Sequence, residues 1–96
     1  MKIVRDGKVA VAVSHGFGAG WSTWEDVDAT DARFNKLFLE GNLKEVEKLC
    51  KELGFYAGGI EDVEIEWVEE GTKFIIEEYD GAETLITEQN INWGVA

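Results

Sequence analysis

The five residues from Val9 to Val13 are all apolar, and an Asp-Gly pair, Asp6-Gly7, stands just before them. A strand that is apolar at every position has no face to offer water, so it has to be covered on both sides. Asp-Gly is a two-residue hairpin signal, because both central residues of a type I′ turn take positive φ. The pair would set Arg5 opposite Lys8 and Val4 opposite Val9, with the buried strand running from about Lys8 to Ser14.

Beyond a glycine-rich stretch and the acidic EDVDATD, the pattern turns helical: Phe34, Leu37 and Phe38 share one face and Gly41 ends the run. Asp28 or Thr30 is placed to cap it. NLKEVEKLCKELG gives a second helix, with Asn42 and Glu45 as a capping-box-like pair and Gly54 as the stop. Leu43, Val46, Leu49, Cys50 and Leu53 form its apolar stripe. The C-terminal part alternates as strands do, and Asp80-Gly81 predicts a hairpin that pairs Ile76 with Leu85 and Lys73 with Glu88. A turn at Glu69–Thr72 would pair Trp67 with Phe74 and Ile65 with Ile76. Val63, Ile65, Trp67, Phe74, Ile76 and Leu85 would then share the face that covers the helices. Glu64, Glu66, Glu77, Tyr79 and Thr84 would share the other, with a last short strand around Ile91 to Val95 burying Trp93. The fold class expected is α+β: an antiparallel sheet of about four or five strands with a helix pair packed on one face.

With 96 residues, 45% of them hydrophobic, the chain has the size and composition of one packed domain spanning 1–96. A formal net charge of −11 argues against direct binding to nucleic acid or anionic lipid. No apolar run approaches the roughly 18 residues of a membrane span, and MKIVRDGK lacks the features of a signal peptide. Cys50 stands alone and has no partner for an internal disulfide. A cytoplasmic site of action is expected. The abundant aromatics raise the alternative of a homodimer formed through an exposed apolar patch.

The most distinctive motif is SHGFGAGWSTW, Ser14 to Trp24. HGFGAG after an apolar strand is similar to the oxyanion loop of α/β-hydrolases, but the Gly-x-Ser-x-Gly elbow and a second histidine are missing. Ser14 and His15 are adjacent, so on a strand they point to opposite faces and cannot share a proton. A dinucleotide fingerprint fails because its third glycine position falls on Trp21, and a Walker A loop fails for want of Gly-Lys-Ser/Thr. DVDATDARFNKL begins like a calcium loop, yet Asp31 stands where glycine is needed and Leu37 where glutamate is needed. One His and one Cys cannot make a structural zinc site, and no metal or other cofactor is expected. Two readings of the loop remain. Amides around Gly16, Phe17, Gly18 and Gly20, with Trp21, Ser22, Thr23 and Trp24, could cradle a small anionic ligand of nucleotide type. Alternatively, the glycines permit close packing and the tryptophans fill the core, which is the commoner use of Trp.

GFGAGWSTW at 16–24 and IEWVEEGTKFIIEEYDGAE at 65–83, about a third of the chain, together resemble a group of small proteins encoded by tailed bacteriophages. Those carry a Gly-x-Gly-Ala-Gly-Trp-Ser-Thr-Trp block near the start and an EW...GT.F...EYDG.E block near the end. The resemblance implies a phage origin and action in the host cytoplasm, and it brings no catalytic residue with it.

The function expected is that of a non-enzymatic binding protein acting on a host protein, such as a defence protein. Its contact would be an acidic surface containing Glu64, Glu66, Glu77, Tyr79 and Asp80 that imitates the phosphates of nucleic acid. The alternative is a nucleotide-type binder using the loop at 16–24. An enzyme comes last, because no nucleophile, base and orienting group fall at workable spacing.

Overall fold

A computed structural model describes residues 1–88 of the chain. The fold is α+β, with its elements in the order β1 (Val4–Arg5), β2 (Lys8–Ser14), α1 (Ala32–Leu39), α2 (Leu43–Leu53), a 3₁₀ turn (Ile60–Asp62), β3 (Val63–Glu69), β4 (Phe74–Tyr79) and β5 (Ala82–Thr87). The strand expected around Ile91 to Val95 lies outside the described residues.

β1 and β2 pair in the register that Asp6-Gly7 dictates, Val4 with Val9 and Arg5 with Lys8, and both turn residues take positive φ (51° and 75°). Asp80-Gly81 likewise sets β4 against β5 with Ile76 opposite Leu85. The strands nevertheless do not form one sheet. β1, β2 and β3 make a three-stranded antiparallel sheet, and β4–β5 is a separate hairpin. β3 pairs along the whole of β2, from Lys8 opposite Glu69 to Ser14 opposite Val63, so the expected pairing of β3 with β4 is not made.

The reason lies in β2. Ala12, with Val63 and Ile65 of β3, packs against the helices around Trp21, Phe34, Val46 and Cys50. Val11 and Val13 point the other way and, with Val68, are covered by Phe74, Ile76 and Leu85 of the hairpin. A strand apolar on both faces needs two covering layers, and the hairpin can be the second only by leaving the sheet. The Glu69–Thr72 turn, closed by Thr72 N–H donating to Glu69 O at 3.0 Å, carries the chain across to that layer. The six apolar residues expected on one face are therefore divided between two.

α1 is capped by Asp31, whose carboxylate accepts from Arg33 N–H at 2.8 Å, and not by Asp28 or Thr30. Asp28 instead accepts from both the backbone N–H and the hydroxyl of Thr30, closing the turn before the helix. α2 begins at Asn42 and stops at Gly54 as its sequence requires, and it buries Val46 and Cys50. Buried Asn35 ties α1 to the sheet by donating to Ala10 O at 3.0 Å and Ala29 O at 2.9 Å. Among the described residues no helix is long and apolar enough to cross a membrane.

Candidate functional site

The glycine and tryptophan loop leaves the end of β2 and folds back over the Asp80–Gly81 turn. Gly18 N–H donates to Asp80 O at 2.7 Å, which brings the two sequence blocks together. Gly81 has φ of 88°, and a Cβ placed on it would collide with the backbone of Gly18 and Ala19. Only glycine meets both conditions. On the other side Gly59 lies against Ala19 O, the Ser14 hydroxyl reaches Ala19 O and Gly59 O, and His15 N–H donates to Asp62 O.

The residue that closes the loop is Glu83. Its side chain, 1% exposed, extends from β5 into the bend. Oε1 accepts from Ser14 N–H at 2.8 Å, and Oε2 accepts from Trp21 N–H at 2.8 Å, Thr23 N–H at 3.1 Å and the Thr23 hydroxyl at 2.6 Å. These amides form an anion nest of the kind a glycine-rich bend provides. The chain fills it with its own carboxylate.

Trp21 is buried, with its ring edge-on to Phe34 (centroids 5.0 Å apart) and Phe38 (5.4 Å). It is a core residue, and its indole Nε1 has no hydrogen-bond partner among the described residues. Ser22 is half-buried. Gly20 is buried beside the side chains of Thr23 and Trp24. Gly16 leaves the room that the Asp62 side chain occupies. Of the loop's rings, Phe17 (73% exposed) and Trp24 (46%) face solvent. The loop thus holds the fold through its amides, the Thr23 hydroxyl and the Trp21 ring, while the Phe17 and Trp24 rings project outward.

The acidic residues expected on one surface fall on two. Glu64 and Glu66 belong to the β3 face that carries Val68, where His15 Nε2 stands 3.8 Å from Glu64 Oε2 and 3.5 Å from Glu66 Oε2. Glu77 and Tyr79 alternate with the hairpin's inward residues and lie on its outer face, with Asp80 at its tip. A groove of about 360 Å³ opens beside Glu66, between β3 and the hairpin, lined by Lys8, Glu66, Trp67, Val68, Leu85 and Thr87 among others. Burial pushes the Cys50 thiol up to about 11, with Glu25 and Glu47 adding to the effect, so it is a core thiol and a poor nucleophile near neutral pH. The Asp31 carboxyl is held below its usual range, first by the hydrogen bond from the Arg33 side chain, and that of Asp28 by the two bonds from Thr30.

Comparison with protein-family models, curated proteins and solved structures gave no match. Glu83 is the residue that sequence reasoning missed. The signal was available, since the register that turns Leu85 inward turns Glu83 inward as well, two residues earlier on the same strand.

Proposed function

We propose that this chain is a non-enzymatic binding protein that engages a basic protein through the acidic surface of its cation-free segments. The observation that carries the reading is the placement of charge. Segments 9–32, 52–72 and 74–88 contain no Lys or Arg at all, while they hold four, seven and five acidic residues respectively. The cations are confined to 2–8, 33–51 and Lys73. An acidic protein that needed only solubility would intersperse its few cations, whereas long stretches of one sign create a field that draws in a partner of the other.

On the bacteriophage resemblance the partner is a host protein, a defence protein among the candidates, met in the host cytoplasm. The nucleotide-type ligand fits less well: the amides that would hold its phosphates serve Glu83, and one of its two stacking rings, Trp21, is buried.

Affinity capture from a host extract tests this. A basic partner should be retained, and its retention should fall as salt rises from about 0.1 M to about 0.5 M. Replacing exposed Glu61, Glu64 and Glu77 together by Lys should abolish retention without changing the melting temperature. A partner held equally well at both salt levels and by the triple variant would contradict it.

A further inference from the structure

We propose that the end of the molecule built from the glycine loop, the Asp80–Gly81 turn and segment 55–62 is a docking face for an arginine-bearing protein surface. Phe17, Trp24, Tyr56 and Tyr79 are the rings that receive the guanidinium groups. The proposal rests on the acidic-face reading and adds to it the place of contact and the side chain recognised.

Three separate contacts bring these segments to one end. Gly18 N–H reaches Asp80 O at 2.7 Å, Gly59 lies against Ala19 and Gly20, and Tyr56 N–H donates to Glu25 Oε1 at 2.8 Å. All the exposed aromatic rings among the described residues belong to this end: Phe17 (73% exposed), Trp24 (46%), Tyr56 (62%) and Tyr79 (79%). Four rings left in water at one end of so small a fold give up burial that a core position would have supplied. Aromatic anchors of this kind dominate protein interfaces.

Charge decides what lies on them. Asp26, Glu61, Asp62, Glu78 and Asp80 are exposed in the same segments, and no Lys or Arg occurs in 14–28, 54–64 or 77–84 to neutralise them. Elsewhere the chain places its own arginines over rings, Arg5 at 5.5 Å from the Trp67 centroid and Arg33 at 5.9 Å from that of Phe34. At the loop end the rings and carboxylates have no cation of their own. A guanidinium uses both features at once, because its plane stacks on a ring while its edge forks onto a carboxylate. A lysine ammonium gains the charge term without the planar stacking and the fork. A second copy of the chain would set one carboxylate rim against another.

The test compares nona-arginine with nona-lysine, read by tryptophan fluorescence at about 0.15 M salt. Nona-arginine should bind the wild-type chain about fivefold more tightly or better. In a Phe17→Leu/Tyr79→Leu variant, which keeps apolar bulk and removes two π faces, the ratio should fall towards one at an unchanged melting temperature. Nona-lysine affinity should stay as it was. Equal binding of the two peptides by the wild type, or a ratio that survives in the leucine variant, would overturn the proposal. So would sedimentation showing a dimer that the leucine variant dissolves, since the face would then belong to a second copy. If the Glu61, Glu64 and Glu77 reversals abolish host capture while the two peptides bind alike, the acidic-face reading stands and arginine recognition falls. If no basic host protein is captured but the ratio persists and is lost in the leucine variant, the converse holds.

Discussion

A carboxylate taken inside a small fold has to recover the hydration it gives up, and Glu83 does so through four donors on the end of β2 and the loop beyond it. The arrangement is asymmetric in its consequences. Glu83→Gln turns one acceptor oxygen into a donor that must face another N–H. It should lower stability by about 2 kcal/mol, or roughly 8–16 °C in Tm for a chain of this size. Glu83→Ala orphans all four donors and should cost about 3–5 kcal/mol. Thermal melts followed by circular dichroism check both, and a Gln variant melting within a degree or two of wild type would mean that the donors are satisfied without Glu83. At this scale the sequence was only half legible. Glycines, Trp21 and Thr23 announced an anion nest, but nothing local in GFGAGWSTW says that its anion comes from position 83. That link is long-range, and it becomes visible only when the Asp80-Gly81 register is followed one inward position past Leu85.

The elements show the same division between local and distant causes. Both Asp-Gly turns, β2, the α2 cap and stop and the β4–β5 register follow from residues close together in the chain. The association of β3 does not. Trp67 and Phe74 flank a tight turn and make a plausible hairpin pair, yet β2 offers β3 a seven-residue ladder and needs the next strands as a second cover. An apolar run covered on both faces already required two layers, and a single sheet backed by helices on one face supplies one. The hairpin's attachment gives a paired prediction. Gly7 and Gly81 hold equivalent turn positions with φ of 75° and 88°, but a Cβ on Gly7 meets open space and one on Gly81 meets backbone. Gly7→Ala should cost about 1 kcal/mol from φ alone. Gly81→Ala should cost about 2–4 kcal/mol, because the loop must also move. Chemical denaturation of the two variants measures the difference, and equal losses would show that the hairpin tip and the glycine loop are not in firm contact.

Over the whole molecule, the helices, the three-stranded sheet and the hairpin stack so that the loop-bearing end is left with exposed rings and carboxylates and without lysine or arginine. The same loop serves several purposes at different depths: its amides hold the hairpin to the sheet through Glu83, the Trp21 ring packs into the helix-side core, and Phe17 and Trp24 face outward. The acidity is evident from composition, but the meeting of cation-free segments at one end is not, because they lie far apart in sequence and are joined by contacts such as Gly18–Asp80, Gly59–Ala19 and Tyr56–Glu25. Residue-resolved amide hydrogen exchange, on the chain alone and with nona-arginine, tests this division of the loop directly. The amides of Ser14, Trp21 and Thr23 should be protected in both states, and new protection should appear with the peptide around Phe17, Trp24 and Tyr79–Asp80. Free exchange at Ser14, Trp21 and Thr23 in the isolated chain, or protection gained around Ile75 on the outer hairpin face instead, would contradict it.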